Sequence, residues 1–103
     1  MVLSPEQQQK MLKNAAAAEG LLKLLANKYR LQILCSLTDT PKSVGELENL
    51  CGLSQSALSQ HLAKLRQAEV VSTIKEGQMV YYKLASMELN ALLSVLHLIY
   101  CKE

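Results

Sequence analysis

The stretch from Ser43 to Glu69 constrains this chain more than any other feature, because two amphipathic helical segments there are joined by only three residues, Gly52, Leu53 and Ser54. Ser43 with Glu46 three residues later forms a capping box that opens a short helix, Val44 to Cys51. Gly52 suits the left-handed end of that helix, and Leu53 can fill the gap between the two segments. Ser54 then caps a second helix, Gln55 to about Glu69, whose Leu58, Leu62 and Leu65 recur at i, i+4 and i+7 as one buried stripe. Two helices so closely joined have the spacing of a helix-turn-helix.

The flanks extend this unit. Ser4, Pro5 and Gln7 start a long helix running to about Ala26. Its Leu21, Leu22, Leu24 and Leu25 are apolar on almost every side and call for more than one neighbour. Asn27 caps a helix from Lys28 to about Leu37, with Leu31, Leu34, Cys35 and Thr38 at helical spacing, and Asp39 to Lys42, including Pro41, ends it. Beyond the helix-turn-helix, Val70–Ile74 and Met79–Leu84 are β-branched and aromatic runs. The segment KEGQ joins them into a hairpin, with Lys75 at its tip and Gly77 placed for a positive backbone angle. Ser86 caps a last helix, Met87 to about Lys102. The expected fold is mainly α with a small β-hairpin: five helices in the order α-α-α-α-β-β-α, a winged helix-turn-helix. It forms one domain over residues 1–103, with helix-turn-helix 43–69, wing 70–84, and outer helices 1–26 and 86–103 placed to pair subunits.

Composition argues for a partner. A chain of 103 residues with four Tyr and no Phe or Trp must build its core mostly from Leu. At this length only about 60 to 68% of the unfolded surface is buried, so such a core is marginal alone. The last helix carries Leu89, Leu92, Leu93, Val95, Leu96, Leu98 and Ile99, more apolar circumference than one core face uses, which implies a subunit interface. Half the residues are hydrophobic and the net charge is only +2, which disfavours disorder. The longest nearly apolar stretch, Ala91–Tyr100, is well short of the ~20 residues of a membrane helix. The polar N-terminus does not read as a secretory signal, and the odd count of Cys35, Cys51 and Cys101 does not read as a secreted disulfide scaffold, so the expected compartment is the cytosol.

Charge is uneven along the chain. Residues 54–85 carry Lys64, Arg66, Lys75 and Lys83 against Glu69 and Glu76, the whole net excess of the protein. Off its buried stripe, the second helix of the pair presents Gln55, Ser56, Ser59, Gln60, Ala63, Lys64 and Gln67. Amides and hydroxyls donate and accept toward base edges, and small side chains let a helix seat deep in a major groove. Lys75 and Lys83 on the hairpin are candidates for flanking phosphates. His61 stands beside the Leu58–Leu62 stripe, open both to DNA contact and to a hydrogen bond at the core edge. No Ser/His/Asp set, phosphate loop, paired catalytic carboxylates or C-x-x-C motif appears, so an enzyme is disfavoured and no cofactor is assigned.

The runs LLKLLANKYRLQILCSL, SVGELENLCGLSQSALSQHLAKLR and VVSTIKEGQMVYYKL resemble the ArsR family of bacterial winged-helix repressors over roughly residues 20 to 101, and LSQSALSQHLAKLR is close to that family's recognition-helix signature. The resemblance implies a homodimer built from the first and last helices that binds an imperfect palindrome of double-stranded operator DNA and leaves it when an inducer acts. Carried over by position, it implies DNA contacts by Gln55, Ser56, Ser59, Gln60 and His61, with Lys64 and the wing residue Lys75 on phosphates.

Metal-sensing members of that family place a close Cys pair in the third helix, or acids and His in ligand spacing on the last. Here the third helix has Cys51 alone, and Glu88 and His97 fall about 180° apart on the last helix and cannot share an ion. Cys35 in RLQILC and Cys101 in LIYC instead resemble the paired thiols of the BigR, HlyU and SqrR subgroup, which responds to persulfides. The implied inducer is a reactive sulfur species or another oxidant that bridges Cys35 and Cys101; Cys51 has no partner in that pattern. Two rival readings stay open: a metal or metalloid sensor using all three thiols, and a DNA-binding protein with no effector.

Overall fold

The computed structural model describes residues 2–100. Its elements are α1 (Pro5–Leu25), α2 (Lys28–Ser36), β1 (Lys42–Ser43), α3 (Val44–Cys51), α4 (Gln55–Gln67), β2 (Val71–Glu76), β3 (Met79–Leu84) and α5 (Met87–Tyr100). The five helices and the hairpin before the last of them agree with the expected fold.

The caps act as their residue types require. Ser4 Oγ accepts the N–H of Gln7, whose side chain accepts the N–H of Ser4. Ser43 and Glu46 close the same reciprocal pair at the head of α3. Asn27 Oδ1 accepts from the N–H groups of Tyr29 and Arg30, and Ser86 Oγ accepts from Leu89. Gly52 ends α3 at φ 66°, ψ 22°, a conformation that costs a side-chain-bearing residue about 1 to 2 kcal/mol.

Three details differ from the sequence reading. First, β1 adds to the hairpin, giving a sheet of order β1-β3-β2 in which Lys42 faces Tyr82 and Ser43 faces Tyr81. A strand of two residues carries no readable periodicity. Second, α4 stops at Gln67, because Glu69 takes a positive φ of 61° and the N–H of Val70 turns back to Leu65 O at 3.1 Å. Third, Lys75 and Glu76 are paired with Val80 and Met79, so the turn is only Gly77 and Gln78, and Lys75 stands on the strand just below the tip.

That register has a consequence for the wing. Side chains alternate across a strand, so Lys75, Val80, Tyr82 and Leu84 share one face, and Tyr82 and Leu84 pack on the core. Lys83, paired with Ser72, projects from the opposite face and lines a cleft with Thr38, Asp39 and Met87. The expectation that Lys83 joins Lys75 beside α4 is therefore corrected.

The core is a single leucine-rich cluster in which Ile33, Leu34, Leu47, Leu58, Leu65 and Leu93 are fully buried. The α4 stripe is inside it as expected. In contrast, α1 buries only Leu25, while Met11, Leu12 and Leu22 stay exposed, as do Leu92, Val95, Leu98, Ile99 and Tyr100 on α5. Arg30 ties α1 to α2, donating from Nε to Leu24 O at 2.6 Å; Asn90 ties α5 to the end of α2, donating to Thr38 O at 2.9 Å.

Two substitutions separate turn from core. Leu58→Ala removes a fully buried side chain and should cost about 2 to 5 kcal/mol in urea unfolding. Gly52→Ala meets no neighbour but keeps the positive φ, and should cost about 1 to 2 kcal/mol.

Candidate nucleic-acid interface and thiol cleft

The turn after α3 sets the attitude of α4, and Ser54 Oγ fixes its first turn by accepting the N–H of Ala57 at 3.2 Å. With Leu58, Leu62 and Leu65 buried, Gln55, Ser56, Ser59, Gln60 and Lys64 are all solvent-exposed on the remaining surface. Their side chains take part in no hydrogen bond or ion pair among the described residues, so their donors and acceptors are available to a ligand. On the wing side a groove runs between α4 and β3, lined by Ser59, Ala63, Arg66, Gln67 and Tyr82. Lys75 lies on the same sheet face as Tyr82.

His61 sits on the other edge of α4, half-buried. Its ring centroid lies 6.0 Å from that of Tyr29 on α2, with the planes tilted by 36°. Burial, together with the positive charges of Arg30 and Lys64, holds its imidazole below the ordinary value. Tyr29 in turn carries the Lys28 ammonium 5.0 Å from its ring centre, a cation–π contact. The sequence reading left His61 open both to DNA contact and to a hydrogen bond at the core edge, and did not identify Tyr29 as its neighbour; an aromatic residue 32 positions earlier carries no local signal of that contact.

The thiols fall in different surroundings. Cys51 is 8% exposed, and burial pushes its thiol up, opposed by a hydrogen bond with Ser36. Cys35 is half-buried, packed against the core, and opens onto a cleft of about 580 Å³. The cleft is bounded by Asp39 from the loop after α2, Lys42 from β1, Leu50 from α3, and Ser94, His97 and Leu98 from α5. Lys42, its side chain only 12% exposed, holds that loop by donating to Asp39 Oδ1 at 2.8 Å, Thr40 Oγ1 at 2.9 Å and Ser36 O at 3.0 Å. The same contact and the Thr40 N–H keep the Asp39 carboxyl below its usual range. Cys101 lies outside the described residues. Among those described, no group of three or more His, Cys, Asp or Glu is gathered closely enough to hold a metal ion.

A capped turn, an exposed amide-and-hydroxyl helix face and a flanking hairpin are the parts of a DNA reader, and residues 27–73 match the bacterial regulatory protein, arsR family. The chain is 54% identical over 99 residues to the transcriptional activator HlyU of Vibrio cholerae, covering 96% of this chain and 92% of that protein. This chain belongs to the ArsR family. Like other members, the ArsR-family chain is a DNA-binding transcriptional regulator. Its fold superposes on reduced HlyU from V. cholerae with a TM-score of 0.84 at 55% identity, covering 91% of this chain and 99% of that one. The transcriptional repressor BigR from Xylella fastidiosa gives a TM-score of 0.82 at 34% identity, with 93% and 98% covered. A homodimeric winged helix-turn-helix DNA-binding domain from Mycobacterium bovis gives 0.70 at 25% identity, with 96% and 89% covered. Among the described residues no helix of this regulator is long and apolar enough to cross a membrane.

The His61 environment has a measurable sign. Its imidazole should titrate in an NMR experiment below the free value of about 6.5. Because the unfolded chain then binds the proton more readily, the contribution to stability is complete above pH ~6.5 and is lost as pH falls through the folded value. His61→Gln should remove that component from the pH dependence of unfolding.

Proposed function

We propose that this regulator is a cytoplasmic homodimeric repressor that holds operator DNA while its thiols are reduced and releases it when Cys35 and Cys101 become bridged by reactive sulfur. The observation that carries the reading is the Cys35 cleft: its far wall is His97 and Leu98 of α5, and Cys101 stands three residues after Leu98 in the chain. The exposed apolar surfaces of α1 and α5 are the dimerisation surface, within residues 1–26 and 86–103, and supply the burial that a leucine core of this size lacks alone.

In the dimer, α4 enters the major groove. Gln55, Ser56, Ser59, Gln60 and His61 face the DNA, with Lys64 and the wing residue Lys75 on phosphates. A palindrome requires the two α4 helices one DNA turn apart, about 34 Å. Tilting the dimer helices spoils that spacing. HlyU is named an activator and BigR a repressor; either outcome follows from the same occupancy, according to what else competes for the site.

The chemistry balances without a metal. The Cys35 thiolate attacks the sulfane sulfur of a persulfide RSSH, expels RS⁻ and becomes Cys35–SSH. The Cys101 thiolate then attacks Sγ of Cys35 and expels the outer sulfur as HS⁻, leaving both thiols oxidised in one bridge and the persulfide reduced to thiol and sulfide. With a longer polysulfide donor, extra sulfur atoms remain in the bridge and relax the distance limit of a simple disulfide. Cys51, buried and with its thiol pushed up, is poorly suited to act as a thiolate and stands outside this pair.

A 100-fold loss of operator affinity needs about 2.7 kcal/mol of difference between the two states, within the range of one covalent cross-link. Cys35→Ser and Cys101→Ser should each bind operator like the reduced wild type yet fail to release it on polysulfide treatment, while mass spectrometry shows the intramolecular bridge only in wild type. Normal release by either variant overturns the thiol pair. Gln60→Ala should cost about 1 to 3 kcal/mol on the best operator and little on random DNA; equal losses on both would make Gln60 a backbone contact.

A further inference from the structure

A helix lying in a major groove has a sugar-phosphate backbone on each side of it, and the wing accounts for only one. At about 100° per residue, Arg66 and His61 lie about 140° apart around α4, with the buried leucines between them on one side and the base-reading face on the other. Arg66 borders the groove shared with Tyr82 of β3. His61 borders the first turn of α2. The α2 turn and the wing are therefore opposite flanks of the reading face.

The α2 flank is built for an anion. Helices α2 and α4 contain no Asp or Glu between them, while carrying Lys28, Arg30, Lys64 and Arg66. The ion pairs among the described residues, Lys23–Glu19 and Lys42–Asp39, involve none of these four. The first three are brought to one place: Lys28 lies over the Tyr29 ring, Tyr29 against His61, and Arg30 and Lys64 are close enough to act on the His61 imidazole. Tyr29 is 38% exposed. Asn27 already occupies the N–H groups of Tyr29 and Arg30, so an incoming ligand meets side chains rather than the helix end.

We propose that the first turn of α2 is a second DNA-backbone contact, in which Lys28 and the Tyr29–His61 ring pair seat a phosphate of the strand across the groove from the wing. The inference rests on α4 entering the major groove as set out above, and it gives His61 a phosphate rather than a base edge. Proton linkage follows. In free protein burial, reinforced by Arg30 and Lys64, the charged groups facing His61 from α2 and from its own helix, favours neutral imidazole. A phosphate beside the ring favours imidazolium, so binding takes up a proton and operator affinity rises as pH falls.

Operator and random duplexes are titrated at several KCl concentrations with wild type, Lys28→Ala, His61→Gln and Lys75→Ala. Lys28→Ala should weaken both duplexes by the same factor and reduce the salt slope by about one unit, as Lys75→Ala does. The gain in affinity on lowering pH from 7.5 to 6.0 should be lost in His61→Gln. Single methylphosphonate substitutions should reveal a sensitive phosphate on the strand opposite the wing in wild type that becomes insensitive in Lys28→Ala. An unchanged slope for Lys28→Ala beside a reduced slope for Lys75→Ala overturns the α2 contact and leaves the groove reading standing; equal slopes for wild type and both variants overturn the two together.

Discussion

Burial of Ile33 and Leu34 at the centre of the leucine cluster is the constraint on which the remaining arrangement depends. With no Phe or Trp to fill space, the chain closes its core by surrounding one short helix on several sides. That helix, α2, packs against α1, α3 and α5 and meets α4 through Tyr29 and His61. Its capped start faces α4, and its far end carries Cys35 and the Asn90–Thr38 tie to α5. This nine-residue helix therefore spans the distance between the Cys35 cleft and the contact with α4.

The same economy explains the exposed surfaces. A core made of leucine from one chain of this size is marginal, and the two helices least absorbed by it, α1 and α5, leave Leu12, Leu22, Leu98 and Ile99 in solvent. In the proposed homodimer, pairing such faces would both stabilise the fold and set the separation of the two α4 helices.

Cationic groups divide in the same spirit. Lys42 is spent on holding the loop that walls the Cys35 cleft, and Arg30 on closing the end of α1. Among the described residues, Lys28, Lys64 and Lys75 are not committed to ion pairs. A net charge of +2 therefore understates what the reading surface can offer a polyanion.

Much of this was legible in residue order, because caps, stripes and positive-φ glycines are decided within a few positions of themselves. Ser43, Gly52 and Ser54 specify the helix-turn-helix, and Leu58, Leu62 and Leu65 say which side of α4 is left exposed. What only the tertiary structure decided involves residues far apart in the chain. The two-residue turn sets the strand register and so sends Lys83 to the face away from Lys75; β1 exists only because β3 lies beside it; Tyr29 finds His61, and Cys35 shares a cleft with His97. Each of these depends on packing distances and pleat parity between separate elements, which no local pattern encodes.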